Sequence, residues 1–195
     1  MTTRRRPARF PAEYGPAEYG PAEYGPAEYG APDSPADSPA DTPPEDTSEA
    51  ERHLQDWTEV AARISAAPNY FLATTDDDGR PHLRPVDGVF VDDALCFGGS
   101  PETRWVRYLQ QRPDISMSLP DAEHAVLLEG AAELVTDATL PVSIALGPAN
   151  RAKYPQYYTG DDAPPFRPFW CLRPRRVYAW SLSEFPARAT RFDLG

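Results

Sequence analysis

The 195-residue chain has little of what several common site types need. It holds two cysteines and three histidines. Neither set shows the paired spacing of a zinc site, so a metal-built centre is not expected. Cys96 and Cys171 lie in apolar, strand-like runs and read as buried thiols acting as small hydrophobes. No stretch approaches the roughly 18 apolar residues of a membrane helix. Arg4–Arg6 is followed by proline and polar residues rather than by an apolar run, unlike a secretory signal. These absences lead to the expectation of a soluble cytoplasmic protein with no membrane partner. Gly-x-Gly-x-x-Gly and the P-loop are also missing, as is the strand–helix alternation of a parallel α/β sheet.

Positive charge is scarce as well. The formal net charge is −11. Residues 1–50 carry four Arg against ten Asp and Glu, and the remainder carries fifteen Lys and Arg against twenty Asp and Glu. Such a balance argues against a general nucleic-acid surface. Where basic residues do cluster, at Arg84, Arg104 and Arg107, they call for a local reason.

What the chain has in excess is proline, and it is front-loaded. Ten of the 24 prolines fall in the first 50 residues, and residues 11–30 are four perfect copies of Pro-Ala-Glu-Tyr-Gly. A five-residue period is too short for a solenoid unit. Proline removes backbone donors and glycine raises chain entropy, so residues 1–47 are expected to be disordered. Tolerated repeat expansion explains the tail. Alternatively Tyr14, Tyr19, Tyr24 and Tyr29 form a multivalent motif for an unidentified partner.

The folded domain is expected over 48–195. Leu54, Trp57, Val60, Ala61 and Ile64 recur at helical steps, with Ser48 as the cap and Glu49 and Glu51 in the first turn. Ala67-Pro68 ends that helix. Strands follow at Tyr70–Thr75, at Pro81–Val91 and at Ala94–Gly98, joined by turns at 76–79 and 92–93. Alternation along the second puts His82, Arg84 and Val86 on one side. Ser100-Pro101-Glu102 reads as the start of a helix that runs to about Gln111 and is stopped by Pro113. Strands at 115–119 and 125–135, a helix at 139–152, an aromatic loop at 154–168 and closing strands at 169–172 and 176–182 complete the pattern. The fold class is mostly β (α+β). About six strands at short spacing favour a small closed barrel.

The pieces resemble the pyridoxamine 5'-phosphate oxidase-like, flavin-binding split β-barrel superfamily, over roughly residues 52–192. Ala73-Thr74-Thr75 with Asp78-Gly79-Arg80-Pro81-His82 is similar to that family's first hairpin, and Arg84-Pro85-Val86 to its second strand. Thr103–Leu109 with Pro113 resembles its Arg-Lys-x-x-Asn-Leu helix, and Leu128–Ala132 its Glu-Gly strand. Ala179-Trp180 and Ala189–Phe192 resemble its closing strand and tail. The resemblance implies a six-stranded antiparallel split barrel. It implies a homodimer with FMN or the deazaflavin coenzyme F420 in each groove between subunits, or haem in some relatives. The implied activity is that of an oxidoreductase acting on a small organic substrate. A non-catalytic flavin- or haem-binding barrel is the alternative. Pyridoxamine phosphate oxidation itself fits less well, because the Arg-rich C-terminal segment of that enzyme is missing.

On this reading the cofactor contacts are Arg84, Pro85, Val86, Ser100, Thr103, Arg104, Arg107, Trp180 and Arg191. Arginine pairs with phosphate bidentately, a helix start favours an anion, and Ser100 and Thr103 add hydroxyl donors. Trp105 stands where the family has Lys, and Ala125 where some relatives have Gln. Trp105 thus reads as a core or interface residue. His82 and His124 are candidate proton donors or haem ligands, though a strand histidine is more often structural. Cofactor-borne hydride transfer requires no side-chain triad, and none is visible.

Overall fold

The computed structural model describes residues 7–9, 54–158 and 165–195. Its strands are β1 (Pro7–Arg9), β2 (Tyr70–Thr75), β3 (Pro81–Val86), β4 (Gly88–Val91), β5 (Ala94–Phe97), β6 (Asp114–Ser118), β7 (His124–Val135), β8 (Phe169–Leu172), β9 (Arg176–Ser181) and β10 (Thr190–Asp193). Its α-helices are α1 (Trp57–Ala66), α2 (Arg104–Gln111) and α3 (Pro141–Lys153). Apart from 7–9, the tail expected to be disordered lies outside the described residues. Pro7–Arg9 pair antiparallel with β10.

Pairing runs round a ring. β2 pairs with β3, β4 with β5, β5 with β8, β8 with β7, β7 with β6, and β6 with β2, all antiparallel. With β3–β4 and β8–β9 each counted as one interrupted strand, this is a six-stranded split barrel. β9 continues from β8 along β7 and carries β10 on its outer edge.

The interruptions occur where a strand changes partner. The expected continuous strand 81–91 breaks at Asp87, with β3 serving β2 and β4 serving β5. Gly88 sits at the break because a Cβ there would come within 3.0 Å of the Cys96 carbonyl and 3.2 Å of the Tyr70 ring. At the other corner a Cβ on Gly130 would meet the Arg173 carbonyl at 2.9 Å.

The core lies inside the ring. Tyr70, Leu72, Leu95, Val126, Leu128, Leu172, Val177 and Phe192 point inward, with Val60 and Ile64 of α1 and Trp105, Val106 and Leu109 of α2 packed on them. A smaller cluster of Ala94, Cys96, Val135, Phe169 and Cys171 packs with Val142 of α3.

Helix starts depart from the local sequence signals. α1 begins at Trp57, and Asp56 caps it by accepting from the Thr58 amide at 2.7 Å. Those amide bonds hold the Asp56 carboxyl below its usual range. The expected cap, Ser48, lies outside the described residues. α2 begins at Arg104 rather than at Pro101, with Thr103 as its cap residue. Among the described residues no helix is long and apolar enough to cross a membrane, and no group of metal-ligating side chains gathers.

Candidate functional site

Residues opposite each other in an antiparallel pair project to the same side. Arg84 faces Leu72 and His82 faces Thr74, so both project to the barrel's inward side near the start of β3. α2 closes over them. Its Trp105 and Tyr108 are one helical turn apart, matching the two-residue step of His82 and Arg84 on the strand. The Arg84 guanidinium lies 5.0 Å from the Trp105 ring centroid. The His82 and Tyr108 rings meet edge to face at 5.9 Å, and Arg104 lies 6.0 Å from the Tyr108 ring. Two packed pairs, Arg84 over Trp105 and His82 edge to face with Tyr108, therefore form one wall beside the start of α2.

The charges there are uncompensated. Arg80, Arg173, Arg175, Arg176, Arg188 and Arg191 each lie within ion-pair distance of a carboxylate. Among the described residues no carboxylate comes that close to Arg84, Arg104 or Arg107. In an acidic protein that leaves a patch free to take an anion. The buried Nδ1 of His82 also lacks a hydrogen-bond partner.

The loop before α2 differs from the capped start expected at Ser100. Ser100 and Thr103 form a turn, in which the Thr103 amide and hydroxyl both donate to the Ser100 carbonyl, at 3.0 and 2.7 Å. No side chain caps the leading amides of α2, and its first bond runs from the Arg107 amide to the Thr103 carbonyl. The Thr103 hydroxyl proton is thus engaged, while the exposed Ser100 hydroxyl lies beside the open helix start. The cause of the later start is Trp105. It is 4 % exposed and lies against Gly99, where an added Cβ would collide with the indole. Burying that ring fixes where the helix meets the loop. Trp105 is a core residue, as the sequence suggested.

The other expected contacts lie elsewhere in the protomer. Pro85 is exposed on the outward face of β3, and Val86 is buried in the core. Trp180 of β9 pairs with Ala125 and meets Phe185 edge to face at 6.2 Å. Arg191 of β10 binds Asp193 at 3.0 Å. Round the ring, β7, β6 and β2 lie between β9 and β3 in one direction, and β5 lies between the β8–β9 and β3–β4 strands in the other. Within one protomer Arg84 and Arg104 lie against the Trp105 and Tyr108 rings, Ser100 and Thr103 form the turn before α2, and Arg107 lies in the first turn of α2, whereas Trp180 and Arg191 belong to β9 and β10. His124 stands apart, beside Asp121.

A second polar cluster escaped sequence reasoning. The Lys153 ammonium donates to the Tyr70 hydroxyl at 2.9 Å and the Gly88 carbonyl at 2.8 Å. It lies 4.7 and 5.5 Å from the ring centroids of Tyr70 and Tyr154. Tyr70 in turn donates to the Ile64 carbonyl at 2.6 Å, and the Gly88 amide donates to the Tyr154 hydroxyl at 3.0 Å. Burial pushes the Lys153 pKa down to about 8, against the opposing pull of Asp87. Burial raises Tyr70 and Tyr154. The two hydrogen-bond acceptors of Lys153, Tyr70 and Gly88, are 83 and 65 positions away, so no local pattern announces them.

Residues 57–181, well over half of the chain, match the family model for pyridoxamine 5'-phosphate oxidase. The chain belongs to that family. No protein of curated function matches it. A conserved hypothetical protein from Mycobacterium tuberculosis has a similar fold, with 21% identity and a TM-score of 0.52 over 66% of this chain and 86% of that one. A protein of unknown function from Agrobacterium tumefaciens gives 22% and 0.50, over 73% and 64% of the two chains. A heme binding protein from Mycobacterium smegmatis gives 26% and 0.49, and the match spans 65% of this chain and about half (54%) of that longer one. Membership in the family accounts for the split barrel, and the expected hairpin, α2 and Glu129-Gly130 strand all fall inside the matched segment.

Proposed function

We propose that this family member is a homodimeric oxidoreductase that binds a flavin nucleotide or the deazaflavin coenzyme and acts on a small organic substrate. One observation carries the reading: Arg84, set over Trp105, and Arg104 and Arg107, in the first turn of α2, have no carboxylate within ion-pair distance among the described residues of an otherwise acidic chain. That donor set fits a phosphate. Arg84 offers a planar guanidinium whose orientation is set by stacking on Trp105, Arg104 and Arg107 add charge, and the Ser100 hydroxyl adds a donor. When bound, the cofactor would supply two-electron transfer. The chain's own part is to hold the phosphate, orient the ring and exclude water.

A second copy of the chain would complete the site. The outward face of β2 and β3 exposes Phe71, Leu83 (65 % exposed) and Pro85, and the far side of the same sheet exposes Leu182 and Phe185 beside Trp180. Covering these apolar surfaces would bring a partner's Trp180 and Arg191 towards the cradle, which one protomer cannot do. The absence of an ammonium at Trp105 favours a second reading, in which the barrel holds a flavin or haem without turnover.

The test is an absorbance spectrum of the purified protein, followed by titration with FMN, riboflavin, the deazaflavin coenzyme and haem. FMN binding well above riboflavin binding is expected, together with reduction of a small acceptor. Binding without turnover selects the second reading. No binding of any of the four at high micromolar concentration rejects both.

A further inference from the structure

Cys96 of β5 and Cys171 of β8 stand directly opposite each other in the antiparallel ladder. Opposed residues of such a ladder have Cα atoms about 4.5–5.5 Å apart and side chains on the same face. A disulfide needs about 4.4–6.8 Å. The two thiols therefore meet the main geometric condition for a bond without any shift of register. Both are free and buried, at 1 % and 3 % exposure, in the small cluster with Ala94, Val135, Val142 and Phe169. Among the described residues they belong to no cluster of three or more metal-ligating side chains.

The position gives such a bond a consequence. β5 ends at Phe97, whose ring packs 6.2 Å from that of Trp105, and the chain then runs through Gly98 and Gly99 to Ser100. β8 carries Trp170 directly opposite Phe97. Tying Cys96 to Cys171 would pin the strand that leads into the α2 start.

We propose that Cys96 and Cys171 are a reversible dithiol that closes to a disulfide between β5 and β8, with a peroxide as the oxidant. One sulfur attacks a peroxide oxygen and the O–O bond breaks, leaving a sulfenic acid and releasing water. The second sulfur attacks the first, the S–O bond breaks, the S–S bond forms, and a second water leaves. The sulfur pair loses two electrons, the peroxide gains them, and the two thiol protons depart in the waters. The adjoining Cys171 thiol and burial raise the Cys96 pKa. Closure is therefore expected to be slower than oxidation of a free cysteine, because attack needs a thiolate.

The test treats the full chain with hydrogen peroxide to completion, removes the peroxide, and alkylates in denaturant with N-ethylmaleimide before intact-mass and peptide analysis. The expected product takes up no alkyl group, is lighter than the reduced chain by two hydrogens, and yields one peptide pair joining Cys96 to Cys171. Dithiothreitol restores both thiols. The oxidised form melts several degrees higher, because the bond constrains a loop of roughly 75 residues in the unfolded chain. Cys171→Ala gives no bridge. Full alkylation of both thiols after treatment, accumulation of sulfinic or sulfonic acid, or bridges only between chains would each overturn the proposal. The measurement on the unaltered chain stands whether or not the alanine variant folds.

Discussion

The guanidinium of Arg84 lies 5.0 Å from the ring centroid of Trp105, and that ring is nearly buried. The Arg84 Nε–H donates to the Pro85 carbonyl at 3.3 Å, which leaves the terminal N–H groups for an oxyanion. The buried indole therefore supports the arginine that lies over it.

The first prediction concerns this pair. Arg84→Ala is expected to weaken binding of FMN by about 10- to 100-fold, the loss of a charge-assisted pair worth about 1.5–3 kcal/mol. Riboflavin, which has no phosphate, should lose much less. Fluorescence titration with both ligands measures the difference. Equal losses for the two would place Arg84 away from the phosphate.

The second concerns the fit of Trp105 against Gly99. Gly99→Ala puts a methyl into the indole and is expected to cost about 1–3 kcal/mol in denaturant unfolding. The clash involves Cζ2 and Cη2 of the indole's outer ring. Trp105→Phe removes that part of the side chain, so the double variant should recover at least half of the loss. Strict additivity of the two single effects would show that the ring does not sit there.

Much of the barrel was legible in the sequence because a half-buried strand writes its period directly. Tyr70, Leu72 and Thr74 alternate as buried residues, and His82, Arg84 and Val86 project to one side as their spacing implies. The family motifs added the order of the strands. The break at Asp87 was not legible, since it reflects a change of neighbour rather than a change of local preference. Ser100-Pro101-Glu102 misled for a related reason. Its local signals favour a helix start, but burial of Trp105 against Gly99 places the start at Arg104. The opposition of Cys96 to Cys171 and the environment of Lys153 depend on partners many tens of residues away. Only the closed ring brings them together.

The third prediction tests the β2–β3 turn. Gly79 has φ of +80°, and nothing lies within 4 Å of where its Cβ would be. Substitution there meets only backbone strain. Gly79→Ala is expected to cost about 1–2 kcal/mol, and Gly79→Asn clearly less, because asparagine tolerates left-handed backbone. Thermal melts of the two variants against the parent measure the order. Equal melting temperatures for all three would mean that the turn relaxes to another form.

The fourth prediction follows from Lys153. Among the described residues no carboxylate lies within ion-pair distance of its half-buried ammonium, which bonds instead to Tyr70 and Gly88. Burial lowers its pKa to about 8, although Asp87 and the two tyrosine faces favour the charged form. An unfolded lysine titrates near 10.4, so between about pH 8 and 10 the unfolded chain binds more protons than the folded one. Stability therefore rises with pH across that window, and below pH 8 the group gives no further slope. The neutral amine keeps two N–H groups for its two acceptors, so deprotonation removes no hydrogen bond. Above pH 10 the sign reverses, because burial raises the pKa of Tyr70 and only the unfolded chain readily gives up that proton. Solvent screening of a half-exposed group makes the rise shallower than the full shift implies. Urea midpoints measured from pH 7 to 10.5 should climb from pH 8 to 10 and then fall. In Lys153→Met the climb should vanish while the fall remains. A parent curve that is flat or falling between pH 8 and 10 would show that the aromatic faces, rather than burial, govern this lysine.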